Sequence, residues 1–440
     1  MPQNLNLYTI YYKNFMEKFT GLIGIVLILG IAFLLSNNKK RINYRLVGTG
    51  LGLQILLALF ILKTDTGKTV FGKLGQVVTT VLDFSNAGAD FVFGVLVRQN
   101  VLADKLGGEN SFIFMFKVVP TIIFVAVLVN IAYHIGLMQK VISAIAFVVY
   151  KLMRVSGSEA LSNVASAFVG QVEAQIMIKP YISTMTKSEL LASMSGSMAC
   201  IAGGVMAVYI AMGVPAEYLI AASLMAAPGA LVISKIVYPE VEQSTTTGAV
   251  TLEVKQQHTN LLDAISHGAS DGLKVALNVI AMLIGFIGLI ALVDGFLGWA
   301  GSGLASWGWS LDFIGVNLAK LSMKEILGAI FSVFAWAMGV QSDEILKAGG
   351  LLGTKMVINE FVAYSDLTAM IKTGLSAKTT AILSFALCGF ANFSSIAIQV
   401  GGIGELVPER RADLAALGFR ALICGTLASY LSATIVGILL

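Results

Sequence analysis

Long apolar runs, separated by short polar connectors, cover most of the chain. About eight of them approach or exceed the length that an α-helix needs to cross the hydrocarbon core of a bilayer. These runs are 21–35, 47–62, 112–138, 190–212, 216–238, 275–293, 379–400 and 421–440. Asp294 is expected to close the sixth run. The pattern predicts an all-α polytopic membrane protein.

Two further segments are too polar and too broken to span a bilayer. Segment 161–180 contains Gly170, Pro180 and a carboxylate, Glu173, and segment 323–375 contains Glu360. An ionisable group at bilayer depth costs roughly 3 kcal/mol or more, so it normally faces a cavity on a substrate or ion path. Irregular backbone is tolerated there when it is buried in protein or lines water. We therefore predict two re-entrant hairpins; the alternative for the first is a polar loop with a solvated glutamate.

Composition excludes a soluble protein. Hydrophobic residues make up 57% of the chain and charged residues 12%, and the mean hydropathy is +0.84. The net charge of +4 is small, and the charged residues lie mostly in connectors. Their positions therefore indicate the membrane topology and not a nucleic-acid partner. The basic cluster 39–41 is expected in the cytoplasm, which places the N-terminus outside.

Candidate chemistry is sparse outside the two hairpins. Cys200, Cys388 and Cys424 lie in apolar sequence without a CxxC motif, so they predict neither a disulfide framework nor a zinc site. No nucleophile stands with a base or a metal-ligand cluster. The sequence therefore favours a protein that is not an enzyme and needs no cofactor.

The runs divide the chain into four parts. Residues 1–110 are expected to hold the first membrane helices and, from 63 to 109, an amphipathic helix in the membrane interface. Residues 111–240 form a first unit with one hairpin, 241–271 a polar cytoplasmic linker, and 272–440 a second unit with the other hairpin.

The two units follow the same plan. Glu173 precedes a glycine-rich interruption at Gly203 by 30 residues, and Glu360 precedes an interruption at Asn392 by 32 residues. One more apolar run closes each unit. Inverted repeats with paired broken helices are typical of a secondary transporter whose site lies near the bilayer midplane. A channel would be expected to show rings of pore-lining residues instead.

Four blocks carry a resemblance to a known family. They are Gly-Gln-Val-Glu at 170–173, Ile-Ala-Gly-Gly-Val at 201–205, Asn-Glu-Phe-Val-Ala-Tyr at 359–364 and Gly-Phe-Ala-Asn-Phe-Ser-Ser at 389–395. In order and spacing they resemble the bacterial concentrative nucleoside transporters, over essentially the whole chain from Gly21. The resemblance implies eight spanning helices, two opposed re-entrant hairpins, a homotrimer and a bacterial cytoplasmic membrane.

The resemblance also assigns the end of the site that holds the nucleobase. Gln171 and Glu173 match positions that hydrogen-bond the base, with Val172 between them, and Val205 matches an apolar contact to its face. Uridine, cytidine and adenosine are the expected substrates.

The sugar end is implied by the second unit. Glu360, Asn392 and Ser395 match positions that hold ribose hydroxyls, and Phe390 matches one that packs beside the sugar. A neutral ligand with many hydroxyl and ring donors needs carboxylate, amide and hydroxyl partners in a dry pocket. For Asn163, Asn359 and Ser394 a structural role is preferred, in which they satisfy backbone groups of the broken segments.

The coupling ion is predicted from departures from the family pattern. Where sodium-driven members carry Asn, Thr and Ser, this chain has Ser166, Val172 and Cys200. Sodium is a hard cation that prefers oxygen ligands, so these replacements weaken its site, although the carbonyls of Val169 and Ile201 can still serve. A proton carried by Glu173 or Glu360 is therefore preferred, with sodium as the alternative.

The resulting interpretation is an ion-coupled nucleoside importer that moves its substrate unmodified. Two alternatives stay open at this point. One is a carrier for nucleobases or other small polar metabolites on the same scaffold, and the other is a gate or sensor protein that does not transport.

Overall fold

Helices make up the regular secondary structure. The computed structural model describes residues 20–106, 113–246, 259–310 and 317–440, and within these ranges there is no strand. The first thirteen helices are α1 (Thr20–Leu34), α2 (Tyr44–Lys63), α3 (Asp65–Asp83), α4 (Ser85–Phe93), α5 (Gln99–Leu106), α6 (Phe114–His134), α7 (Leu137–Met153), α8 (Gly157–Ser166), α9 (Glu173–Met177), α10 (Lys179–Ile182), α11 (Lys187–Ala199), α12 (Gly203–Met212) and α13 (Ala216–Val237). The others are α14 (Leu261–Ser306), α15 (Met323–Ala337), α16 (Ile345–Val357), α17 (Glu360–Lys372), α18 (Ala377–Leu387), α19 (Phe393–Leu406) and α20 (Arg411–Leu439).

Many of these helices suit a bilayer. Within the described ranges, seven helical segments are long and apolar enough to cross a membrane, while α1 and α18 are apolar but shorter. An α-helix pairs its backbone groups within itself, which is the condition for crossing lipid. The chain is a multi-pass membrane protein.

The prediction that a helix ends at Asp294 is wrong. Helix α14 begins at Leu261, inside the predicted linker, and continues to Ser306. The Asp294 carboxylate accepts a hydrogen bond of 2.7 Å from the backbone N–H of Met323, at the start of α15. Because that contact satisfies the charged side chain, the helix can pass through Asp294 without an unpaired carboxylate in an apolar setting.

The order of elements repeats along the chain. Each series starts with a long helix (α6, α14) and a second helix (α7, α15), followed by short helices that contact each other (α8 with α9, α16 with α17). Each then has a helix in two halves (α11 and α12, α18 and α19) and ends in a long, largely buried helix (α13, α20). The two predicted interruptions, near Gly203 and Asn392, each lie between two helices.

The two interrupted helices meet at their breaks. Cys200 ends α11 and Cys388 ends α18, and the backbone N–H of Phe390 donates to the Cys200 carbonyl at 3.2 Å. Gly389 has φ +133°, and a Cβ there would lie 2.7 Å from the carbonyl oxygen of Ala199. The close approach therefore needs glycine both for its backbone conformation and for its lack of a side chain.

Gly389→Ala should destabilise the protein by roughly 2–5 kcal/mol, because it adds strain at a positive φ and a collision with backbone. The measurement is the temperature at which purified protein in detergent loses its monodisperse elution peak. Gly401→Ala is the control, since a Cβ at Gly401 meets nothing within 4 Å. A Gly389→Ala protein as heat-resistant as the control would contradict the close packing of the two breaks.

Buried charges at the base of α8 are paired. Lys235 of α13 forms ion pairs with Glu159 of α8 and with Glu240, the latter at 3.4 Å, and donates to Ser188 Oγ at 2.9 Å. The Thr246 carbonyl accepts from the backbone N–H of Gly157 at 3.0 Å. A buried pair is costly to break, because an unpaired charge is left behind. These contacts hold the segment after α13 against the first hairpin.

Candidate functional site

Glu360 lies at the centre of a polar cluster between the two repeats. It is the first residue of α17, whose start is capped by Asn359 Oδ1, which accepts from the backbone N–H of Val362 at 3.0 Å. Glu360 is only 6% exposed. Its Oε1 accepts from the Tyr209 hydroxyl at 3.1 Å, and its Oε2 accepts from Asn392 Nδ2 at 3.1 Å. Carboxylate lone pairs still remain for a ligand.

The orientation of Asn392 follows from its role as the N-cap of α19. Its Oδ1 accepts from the backbone N–H of Ser395 at 3.0 Å and from Ser394 Oγ at 2.7 Å. With the oxygen used in this way, the NH₂ group must face Glu360. The side chain of Ser394 thus supports Asn392, which agrees with the structural role preferred for it.

Gln171 joins the same cluster from the turn of the first hairpin. Its Nε2 donates to Ser395 Oγ at 3.5 Å, and its Oε1 accepts from Gln399 Nε2 at 3.3 Å. Ser395 therefore links the two ends of the site. The structure brings Gln171, Ser395, Asn392 and Glu360 together in one hydrogen-bonded series, although they come from opposite halves of the sequence.

The other residues expected to bind substrate lie on neighbouring turns. Glu173 opens α9, is exposed, and places its carboxylate against Gly170. Val205 lies in the first turn of α12, and Phe390 at the break before α19; both are partly buried. No hydrogen bond of the series described above involves Glu173.

Ser166, expected near a coupling ion, is tied into a buried network. Its hydroxyl donates to the Ser162 carbonyl at 2.7 Å and contacts Ser197 Oγ at 2.9 Å. Ser197 accepts from Gln175 Nε2 at 2.7 Å, and Gln175 Oε1 accepts from Ser193 Oγ at 2.7 Å. Since Ser166 gives its proton to a carbonyl, it receives one from Ser197. Most of its hydrogen-bonding capacity is thus used within the protein.

Val172 and Cys200, the other two departures from the sodium pattern, have no hydroxyl group. The methyl groups of Val172 pack against Gly402, with Cγ1 3.0 Å from where a Cβ would stand. Cys200 is fully buried, and its carbonyl accepts from Phe390. Val169 and Ile201 are buried beside these residues in the chain.

Sequence reasoning missed Tyr209, Lys355 and Gln399. Lys355 is buried and donates to the Ala386 carbonyl at 2.8 Å and to Ser429 Oγ at 3.3 Å, which ties α16 to the end of α18. A glutamine inside an apolar run was the available signal for Gln399, whereas Lys355 lies in a broken segment with many polar residues, where one lysine does not stand out. Tyr209 gave no such signal, since tyrosine is common in membrane helices.

The described part of the chain holds no group of three or more His, Cys, Asp or Glu side chains that could bind a metal. What it offers is a set of buried donors and acceptors at the meeting point of two hairpins and two broken helices. Such an arrangement can hold and release a polar, uncharged molecule without changing it. The fold and site define a membrane carrier.

Comparison with known proteins identifies the kind of carrier. Family models for the N-terminus and C-terminus of Na⁺ dependent nucleoside transporters match residues 23–96 and 218–437, and a nucleoside recognition (Gate) model matches 115–216. The chain belongs to the concentrative nucleoside transporter family, which confirms the resemblance seen in the sequence. Proteins of this family carry nucleosides together with a cation and are not enzymes.

Similar proteins align over nearly the whole chain. An uncharacterised transporter of Haemophilus influenzae is 42% identical, covering 96% of this chain and 98% of its own length. Nucleoside permease NupC of Helicobacter pylori is 37% identical, covering 95% and 97%. The solved structure of CNTnw in an inward-facing substrate-bound state has a TM-score of 0.87 and 40% identity, covering 96% of this chain and 97% of that one.

Proposed function

We propose that this protein imports nucleosides across a bacterial cytoplasmic membrane by symport with a proton. Its two helical hairpins enter the membrane from opposite sides, and three copies assemble into a homotrimer. The observation that carries the proposal is the hydrogen-bonded series from Gln171 through Ser395 and Asn392 to Glu360. It provides an amide and hydroxyl end and a carboxylate end, as a nucleoside requires.

The sugar binds at the carboxylate end. Ribose hydroxyls donate to Glu360, and a hydrogen bond to an ionised acceptor is about twice as strong as a neutral one. Tyr209 and Asn392 hold the carboxylate from two sides, so it is already oriented when substrate arrives. Phe390 covers the sugar.

The base binds at the amide end. Gln171 and Glu173 bond its ring edge, and Val205 contacts its face. Val172 packs against α19 beside them. Because the base and the sugar interact with different hairpins, only a complete nucleoside bridges both halves of the protein.

The choice of a proton rests on the side chains around the expected sodium position. Ser166 is engaged with Ser162 and Ser197, Val172 with Gly402, and Cys200 offers a soft thiol. These three positions therefore supply little of the oxygen coordination that sodium requires. Glu173 is the carboxyl group proposed to carry the proton, because Glu360 has to be ionised when it accepts from the ribose hydroxyls.

Uptake into proteoliposomes tests the function. Labelled uridine, cytidine and adenosine should accumulate inside under an imposed ion gradient, and unlabelled nucleosides should compete. Competition by uracil as strong as that by uridine would favour the nucleobase carrier instead. Substrate binding without any uptake would favour a gate or sensor.

Gln171→Ala should reduce affinity unequally for uridine and adenosine. The pyrimidine and purine rings present different donors and acceptors, so loss of one amide partner affects them differently, with a KM increase of roughly five- to tenfold for the more affected substrate. Uptake kinetics measure both values. Gln139→Ala is the control, because Gln139 donates to the Tyr133 carbonyl, outside the cluster. Equal losses, or none, would place Gln171 outside the base site.

A further inference from the structure

Gln399 is a buried glutamine that contacts the proposed base site from behind. It lies in α19 with 0% exposure. Its Nε2 donates to the Met194 carbonyl at 3.2 Å and to Gln171 Oε1 at 3.3 Å. Its contact with the proposed base site is the hydrogen bond to Gln171.

The chemistry of these contacts determines which way both amides face. A backbone carbonyl can only accept a hydrogen bond, so the Met194 carbonyl requires the NH₂ group of Gln399. The same NH₂ group donates to Gln171, which must therefore accept with its Oε1. The NH₂ group of Gln171 is then directed away, towards Ser395 Oγ at 3.5 Å.

The other repeat contains a matching contact. Tyr209 stands six residues after the first residue of α12, and Gln399 stands six residues after the first residue of α19. Both are fully buried. Tyr209 of the first broken helix donates to Glu360 of the second hairpin, and Gln399 of the second broken helix donates to Gln171 of the first hairpin. Each repeat thus supports a binding residue of the other.

Gln399 also carries an unsatisfied atom. Its Oε1 is buried and has no hydrogen-bond partner among the described residues. A buried acceptor left unpaired costs stability and calls for an explanation. The contacts of its NH₂ group supply one, since turning the amide to pair the oxygen would break the bonds to Met194 and Gln171.

We propose that Gln399 is a specificity-determining positioning residue, which locks the Gln171 amide so that a donor faces the nucleobase. This inference rests on the proposed function, in which Gln171 bonds the base. A fixed donor favours an acceptor on the ring. Uracil has a carbonyl at ring position 4 and an N–H at position 3, whereas cytosine has an amino group at position 4 and an acceptor nitrogen at position 3. The proposal places the Gln171 amide against position 4, where a locked donor favours uridine over cytidine.

Two substitutions of Gln399 test the lock by its effect on base preference. Gln399→Leu releases the Gln171 amide, which can then turn either face to the base. The ratio of the KM for cytidine to the KM for uridine should fall by roughly three- to tenfold, with kcat unchanged. Gln399→Glu puts an acceptor against Gln171, reverses its amide and should lower the ratio further. Because that oxygen also faces the Met194 carbonyl, Gln399→Leu carries the test if Gln399→Glu does not fold.

Gln54→Leu is the matched control. Gln54 is equally buried, its Nε2 donates to the Met225 carbonyl at 2.9 Å, and its Oε1 has no hydrogen-bond partner within the described part of the chain, but it lies in α2. Its substitution should lower stability about as much as Gln399→Leu and leave the KM ratio unchanged.

A double-mutant cycle separates the lock from a merely structural role. If Gln399 acts through Gln171, Gln399→Leu should not change the KM ratio any further in a Gln171→Ala protein. Additive changes, an unchanged ratio in Gln399→Leu, or a wild-type protein with equal KM values for uridine and cytidine would overturn the inference. Absence of uptake of every nucleoside by the wild type would instead refute the proposed function.

Discussion

Glu360→Gln should raise the KM for uridine by roughly 10- to 150-fold, since loss of a charge-assisted hydrogen bond corresponds to about 1.5–3 kcal/mol. The ribose hydroxyls then meet a neutral amide in place of a carboxylate. Uptake into proteoliposomes over a range of uridine concentrations measures the effect. Wild-type uptake and affinity in this variant would show that Glu360 does not hold the sugar.

The variant should remain folded, because its neighbours can accommodate an amide. The new side chain keeps an oxygen for Asn392 Nδ2 and turns its NH₂ group to the Tyr209 hydroxyl, which can accept as well as donate. Light scattering of the purified variant should give the mass of the proposed trimer, as for the wild type.

Glu344→Gln provides the control for this substitution. Glu344 is also buried, and its carboxylate accepts from the backbone N–H of Ser376 at 2.9 Å and from Ser376 Oγ at 2.7 Å. The Glu344→Gln substitution makes the same chemical change near the second hairpin but outside the site, so the KM for uridine should stay at the wild-type value.

Much of the site could be predicted from sequence because membrane interiors make polar residues conspicuous. Glu173, Gln171, Glu360 and Asn392 stand in apolar or broken stretches, where each needs a reason to be present. The same reasoning failed for Asp294. Its hydrogen bond from Met323 allowed the helix to continue, and a linear pattern contains no information about such a contact.

The internal support of the site was beyond reach for a similar reason. The contact of Tyr209 with Glu360 joins residues 151 positions apart, and the contact of Gln399 with Gln171 joins residues 228 positions apart. Local periodicity shows which face of a helix is apolar but not which remote side chain meets it. The repeat indicated that the two halves correspond. That each half supports the other is seen from the contacts that Tyr209 and Gln399 make across the two broken helices.

In the proposed mechanism, the coupling ion is determined by Ser166, Val172 and Cys200, around the first break. Val172→Thr and Cys200→Ser are nearly isosteric changes that add hydroxyl oxygens where sodium-driven members carry them. Each keeps the size of the side chain but adds a hydroxyl group, which is costly when it is buried without a hydrogen-bond partner. Because of that cost, the thermal stability of the double variant is measured beside its uptake. This double variant is therefore the matched partner for measurements of ion coupling in the wild type.

In the wild type, uptake should rise as external pH falls, collapse with a protonophore and persist when sodium is replaced by choline. The decisive trial is a sodium gradient alone, with equal pH on both sides of the liposome and the electrical potential clamped. The wild type should then show no concentrative uptake, whereas the double variant should gain it, because the added hydroxyl oxygens complete a hard-cation site with the carbonyls of Val169 and Ile201. Concentrative uptake by the wild type under these conditions would refute proton coupling. It would also show that Ser166 and the carbonyls near Cys200 already form a working sodium site.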